Sequence, residues 1–497
     1  MSSTVGRSRS DPALERRLVR RASLGVFLAT LGLLLATHGG HFYAADSMIV
    51  HLTAQNLVER GRLDLGPVWS GVQGADGLTY GRYGIGLSLL HAPLLVVGRY
   101  FDALAPDGVP GFAGPPVSIY YPETFAVFAT TLVGPLCGAL AAATFWQIAL
   151  LLGFTVPVSA ALTAILVLGT QLWPASRDSL PHVVVLLLEL LALRSALGWR
   201  RPVASAAALG ASIGFLFLVR PFDAVLAGPA LLLHAAHRNL AATRRARVTG
   251  RCALALLAPL ALAGALGALH NWLRFADVLA FDEPGAQSFQ TPLVLGIYGL
   301  LFSAGRGLLF FSPPIVAGLF GLPSFARRRP AETALIGALS VAYLAAYGSY
   351  TNWEGGLCWG PRYVVPLVPF LLLPAGELLS SGVTARLFVA ALGVAGLVVQ
   401  VLGTLVDFQR LAHDAGFKRE TLYDPALAPI VEHWRFLTVG KHIDWLPMRI
   451  LDASGPWLAL AYLALPLALL IAGVASVLSS LRAGRHVDPV AAGIRAH

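Results

Sequence analysis

The residues of this chain best suited to chemistry lie in loops between long apolar runs, and the first of them is an aspartate. In His41-Phe-Tyr-Ala-Ala-Asp46-Ser-Met, Asp46 follows an apolar stretch by a few residues and precedes Ile49, Leu52 and Leu57 at helical spacing. A carboxylate placed there either caps the helix, accepting from its first free amides, or takes a proton from a hydroxyl as a general base. Position alone leaves both readings open. Downstream, Thr79-Tyr-Gly-Arg82-Tyr-Gly-Ile-Gly-Leu-Ser-Leu-Leu-His91-Ala-Pro93 sets Arg82 at the mouth of a short apolar run. A cation there meets an anionic headgroup or simply snorkels toward water. His91, and His182 at the start of a later span, are candidates for proton transfer or ligand binding, though structural or interfacial roles are the plainer reading of both. Glu189 stands alone in Val183-Val-Val-Leu-Leu-Leu-Glu189-Leu-Leu, where a carboxylate is costly and by default suggests a transport pathway. A partner on a neighbouring helix, or protonation in place, would remove that significance.

The elements that must carry these residues are transmembrane helices. The chain is 56% hydrophobic and 12% charged over 497 residues, against roughly 45–50% and 25% for soluble proteins. Apolar runs recur from residue 22 to residue 479 without period-two alternation, so the backbone must satisfy itself as helices. Spans are expected near 22–38, 124–150, 156–173, 182–197, 203–219, 222–236, 252–270, 307–322, 332–350, 363–380, 386–406 and 456–479, about twelve crossings. The net charge of +10 is scattered among short loops, which excludes a nucleic-acid-binding stripe. Arg200-Arg201, the group from Arg238 to Arg251, Arg327-Arg328-Arg329 and Arg482/Arg485 then all face the cytoplasm, as the positive-inside rule requires. Cys137, Cys252 and Cys358 form no disulfide framework or metal spacing.

This count gives a basic cytoplasmic N-terminus (1–21), a transmembrane module (22–406) and a further outer loop (407–455). A last helix (456–479) and a cytoplasmic tail (480–497) follow. Arg7 to Arg21 before the first apolar run resemble the start of a signal peptide, but the polytopic chain behind it favours an uncleaved first helix. Loops 39–123, 271–306 and 351–362 join 407–455 on the outer face, and long loops are where function concentrates. Within the first, Ser47–Arg60 and Gly86–Tyr100 read as helices lying at the outer membrane surface.

A first helix, a long outer loop opening on an acid, and a later Tyr-x-Arg-Tyr turn form a recurrent set. Further along come Phe217-Leu-Val-Arg220-Pro221, Leu301-Phe-Ser-Ala-Gly305-Arg306-Gly307-Leu-Leu-Phe-Phe-Ser-Pro313 and Trp353-Glu-Gly-Gly-Leu-Cys-Trp-Gly360-Pro361-Arg362-Tyr363. Over residues 22 to about 380 the chain resembles the GT-C superfamily of membrane glycosyltransferases, especially bacterial relatives of protein O-mannosyltransferases and the lipid A aminoarabinose transferase. The resemblance implies an all-α membrane enzyme, in a bacterial plasma membrane, with its active site on the outer face. Such an enzyme transfers a sugar from a polyprenyl-phosphate donor to a cell-wall glycan, a lipid-linked glycan or a protein, with inversion. By position it makes Asp46 the base and Arg82 the match to the family's first-loop basic residue. Arg306 and Arg362, each at the outer end of a span beside glycine, are the secondary donor-phosphate candidates.

Some GT-C enzymes carry an Asp-x-Asp pair that holds a divalent ion, whereas Ala44 and Met48 flank Asp46 here, so a metal is not indicated and no cofactor is expected. Glu123, Asp178 and His182 remain candidates for a second acid or an acceptor site, with first-turn dipole stabilisation the simpler role for Glu123. Trp353 and Trp359 are suited to stacking on a sugar, but tryptophans are ordinary at membrane interfaces. The rival reading is a transporter or flippase of a lipid-linked sugar, resting on Glu189.

Overall fold

A computed structural model describes residues 12–66, 68, 71–105, 124–199, 201–242, 250–280, 288–408, 422–438 and 443–484. Glu123, Arg200, Arg244, Arg245, Arg247 and Arg485 lie outside the described residues. Among those described, nearly all regular structure is helical; the exception is a small hairpin pairing Val72 with Tyr80 and Gln73 with Thr79. Among the described residues, nine helices are long and apolar enough to cross a membrane. The outward faces of Gly250–Phe275 and Pro456–Gly484 carry bare Leu254, Leu257, Leu262, Leu465 and Ile471. So much exposed aliphatic surface is stable only against lipid, and the chain is an integral membrane protein.

Two helices are buried almost all round and form the centre. Val133–Leu151 and Pro181–Leu197 are apolar on every side and interlock through Phe145, Trp146, Leu186 and Leu190, as expected of helices inside a bundle. The first and last long helices, Pro12–Ala36 and Pro456–Gly484, run against each other through small residues. A Cβ at Gly32 would lie 2.4 Å from the Pro466 carbonyl oxygen, and one at Gly473 would lie 2.2 Å from Ala29 N. Glycine permits this backbone approach where no hydrophobic force drives helices together.

Most expected spans appear as helices, with instructive exceptions. The run expected at 307–322 is broken into Leu308–Phe311 and Ile315–Arg328, because Pro313 and Pro314 interrupt it, and the segment 271–306, expected as a loop, carries the apolar helix Leu293–Phe302. The stretch 363–380 begins as a 3-10 helix, Arg362–Leu367, then continues as Val368–Leu372 and Ala375–Leu379, segmented by Pro366, Pro369 and Pro374. The short run at 86–100, expected to lie on the surface, is the 20-residue helix Ile85–Leu104, long and apolar enough by composition to cross.

Charge sorts the two ends of the bundle. Arg238 pairs with Glu332, and Arg328 and Arg329 both pair with Glu377, all at one end. Arg220 opens the helix Pro221–Ala242 that carries Arg238, so the two arginines stand about 27 Å apart at 1.5 Å per residue. That is close to the thickness of a hydrocarbon core. Arg220 therefore marks the opposite end, and it is there that the candidate residues gather.

Candidate active site

Asp46 is the second residue of the helix Ala45–Arg60, whose N-cap is Ala44 with no side-chain capping bond. Asp46 therefore does not fill the cap; it lies inside the first turn, where the helix dipole favours a negative charge. Its carboxylate points across to the start of the 3-10 helix Arg362–Leu367, and Arg362 Nη1 lies 2.8 Å from Asp46 Oδ2. Tyr83 lines the same cavity and acts on the carboxylate. Burial by itself would raise the Asp46 carboxyl, but the Arg362 charge, Tyr83, the bond from Arg362 and the nearby Arg82 outweigh it and hold the group below its ordinary range.

These residues line one cavity of about 760 Å³. Asp46, Arg82, Tyr83, His182, Arg220, Arg274 and Arg362 face it, together with Asn352 and Glu354. The lining also includes the apolar Phe217, Phe222, Val225 and Phe289, of which Phe222, Val225 and Phe289 are exposed. The cavity thus combines cationic and apolar lining. Arg82 stands exposed at its mouth and, among the described residues, has no ion-pair or hydrogen-bond partner.

The other arginines are engaged to different degrees. Arg220 Nε pairs with Asp223 Oδ2 at 2.7 Å, its Nη1 donates to His182 Nδ1 at 2.8 Å and its Nη2 to the Tyr347 hydroxyl at 3.0 Å. Because His182 Nδ1 accepts, the ring is neutral with its proton on Nε2. Tyr347 and Tyr363 stack 4.5 Å apart with a 4° interplanar angle, and the Arg220 guanidinium lies over both rings. Arg274 is spent on structure: it donates to Asn271 Oδ1 at 2.8 Å and to the Gly81 carbonyl, fixing the turn that presents Arg82.

Arg306 does not line the cavity. It is wholly buried, donating from Nε to the Glu354 carbonyl at 2.8 Å, from Nη1 to the Gly305 carbonyl at 2.9 Å and from Nη2 to the Gly356 carbonyl at 2.6 Å. Its guanidinium ties down the loop 351–361 that delivers Arg362. The loop needs the left-handed region at Gly355, φ +75°, and a Cβ there would press against Arg362 Cγ at 2.8 Å.

Asp178 sits beside a smaller pocket of about 80 Å³, which shares His182 and Arg362 with the main cavity. Its Oδ1 accepts from Ser47 Oγ at 2.8 Å and Ser179 N at 2.7 Å, and its Oδ2 from Tyr43 N at 3.3 Å. Those bonds fasten the entry to the helix that carries Asp46. Burial pushes the Asp178 carboxyl up to about 6 in spite of them. Behind it, Asp444 takes His41 Nε2 at 2.9 Å, the Tyr43 hydroxyl at 2.6 Å and Arg177 Nη2 at 2.9 Å. Burial alone would raise Asp444; His41 and Arg177 outweigh it and hold the group well below the carboxylate range.

His91 is fully buried and away from the cavity. Trp353 is packed in the core against Gly299, while Trp359 borders the small pocket. Glu189 receives the Tyr343 hydroxyl at 2.5 Å from a neighbouring helix, while its Oε2 is buried with no hydrogen-bond partner among the described residues. Among the described residues no three His, Cys, Asp or Glu side chains gather within reach of one metal ion. Tyr83, Arg274 and Glu354 were not anticipated as lining residues; the only sequence signal was that Tyr83 and Glu354 belong to motifs whose arginines were singled out.

No family model matches the sequence, and no curated protein matches it. Solved structures do. Apo ArnT from Cupriavidus metallidurans superposes with a TM-score of 0.52 at 14% identity, over 96% of this chain and 77% of that one. The oligosaccharyltransferase of Archaeoglobus fulgidus in its apo form gives 0.50 at 12% identity, over 80% of this chain and 57% of that one. At such identities the likeness speaks for the backbone alone, and it extends over most of this chain. The chain therefore shares its fold with ArnT and, over a smaller part of that protein, with an archaeal oligosaccharyltransferase.

Proposed function

We propose that the protein is a glycosyltransferase that moves a sugar from a polyprenyl-phosphate donor to an acceptor outside the cytoplasm, with inversion. The observation that carries this reading is the meeting of Asp46, Arg82 and Arg362 in one cavity whose lining also carries Phe217, Phe222 and Phe289. The transfer is a single displacement. The acceptor hydroxyl oxygen forms a bond to the anomeric carbon as the bond from that carbon to the phosphate oxygen breaks. The hydroxyl proton passes to Asp46, and polyprenyl phosphate leaves with the electron pair.

A base held at contact contributes typically 10²–10⁴-fold, and cations fixed beside the leaving phosphate act on charge that grows in the transition state. Arg82, exposed and unpaired among the described residues, and Arg362 suit the phosphate; the apolar flank at Phe217, Phe222 and Phe289 suits a prenyl chain. A cell-wall glycan, a lipid-linked glycan and a protein are all compatible as acceptors. The membrane is the bacterial plasma membrane and the cavity opens on its outer face, opposite the arginine-rich end.

Purified protein in nanodiscs, given a panel of polyprenyl-phosphate sugars with membrane-extract acceptors, should release polyprenyl phosphate in step with sugar transfer. Vesicle-to-vesicle movement of the intact lipid-linked sugar, with no cleavage of its phosphodiester, would overturn the proposal in favour of a transporter.

A further inference from the structure

Asp46 poses a chemical problem for the reading just given, on which this inference rests. A base works by taking a proton, yet this carboxylate is held by an arginine 2.8 Å away and acted on by Tyr83, both of which favour the charged, proton-free form. A base so satisfied is weak, since efficiency follows basicity.

The partner that weakens it is itself incompletely used. Among the described residues, Arg362 gives Nη1 to Asp46, its Nη2 reaches only the Tyr363 hydroxyl at 3.4 Å, and its Nε is buried without a hydrogen-bond partner. A buried guanidinium N–H with nothing to donate to is costly. Nε is covered beside Gly355, while Nη2, with one long contact, keeps donor capacity for a second anion, and guanidinium–phosphate contacts are among the strong charge-assisted bonds. Arg362 also borders the same cavity as Arg82.

We propose that Arg362 is shared between two anions, so that a lipid monophosphate arriving at its Nη2 loosens its hold on Asp46 and frees that carboxylate to act as a base. The base is thereby restrained until the donor is seated. Coupling of this kind is reciprocal: if phosphate weakens the hold on Asp46, the Asp46 charge must weaken the hold on phosphate.

The reciprocity supplies a test that reads binding and needs no turnover. Undecaprenyl phosphate is titrated into the full-length protein in nanodiscs. Asp46→Asn should bind it about five- to tenfold more tightly than wild type, within the usual range of coupling. In an Arg362→Ala background the same Asp46→Asn change should bring no gain, because the route between the two anions is gone. Plain repulsion between Asp46 and phosphate predicts the opposite, a gain that persists or grows once the arginine is removed, and that result would overturn the proposal. So would unchanged affinity in Asp46→Asn with Arg362 intact. Arg362→Gln keeps an amide against Asp46 without the charge and replaces the Ala variant if that one does not fold. A wild-type protein that does not bind undecaprenyl phosphate refutes the transferase reading itself, and this coupling with it; binding with no coupling refutes only the coupling.

Discussion

Replacing Asp46 by asparagine separates a structural from a chemical role. Because Ala44 is the N-cap, Asp46 contributes to its helix only through the dipole of the first turn, about 0.3–1 kcal/mol. The change also removes the charge facing Arg362, a pair whose side chains are 19% and 25% exposed. The asparagine oxygen still accepts from the guanidinium, so the added cost falls at the lower end of the roughly 1–3 kcal/mol for a poorly satisfied buried group. The protein should therefore fold. Transfer should fall by at least about 10²-fold, equivalent to about 2.7 kcal/mol of lost transition-state stabilisation. Asp46→Ala should lose as much, because neither side chain accepts a proton. Asp46→Glu should retain measurable activity, with its carboxylate displaced by one methylene. The assay is initial-rate sugar transfer per mole of monodisperse protein in nanodiscs, with the best donor of the panel. Near-normal transfer by a well-folded Asp46→Asn protein would refute the base, and a loss confined to Asp46→Ala would point to packing instead.

Other outcomes test the surrounding structure. Arg82→Ala should impair donor use at limiting concentration more than Arg82→Lys, which keeps the charge and loses only the planar fork; undiminished donor use by the Ala variant removes Arg82 from the phosphate site. Arg306→Lys should lower thermal stability, because one ammonium cannot serve the carbonyls of Glu354, Gly305 and Gly356, and each orphaned carbonyl costs about 1–3 kcal/mol; an unchanged melting temperature would contradict the loop-tying role. Asp178, raised to about 6 by burial, binds its proton more tightly folded than unfolded, so its contribution is present below about pH 4 and lost as pH rises through 6. Asp178→Asn should flatten that part of the pH–stability curve, and a slope identical to wild type would assign it to another group.

The legibility of this protein divides along the range of its interactions. Apolar runs, their lengths and the arginines flanking them are local properties of the chain, and lipid imposes helices on them without help from elsewhere. The helices and the arginine-rich end were therefore readable from the sequence, except where prolines and glycines at 303–314 and 361–374 broke an apolar run into pieces. The approach of Asp46 and Arg82 to one site was partly readable too, since both belong to the long segment that follows the first helix.

What the sequence could not distinguish was Arg306 from Arg362. Each closes a loop beside glycine, and hydropathy treats them alike. Tertiary packing turns Arg306 inward onto three carbonyls and aims Arg362 across 316 residues of sequence at Asp46. The same holds for Asp444 and His41, 403 residues apart, and for Asp178, which sequence offers as an acid and the fold uses to fasten the Asp46 helix. The sequence by itself determined the helices, the membrane and which residues were chemically able. Which of the able residues share one cavity is set by contacts between distant segments, and those exist only once the helices have packed.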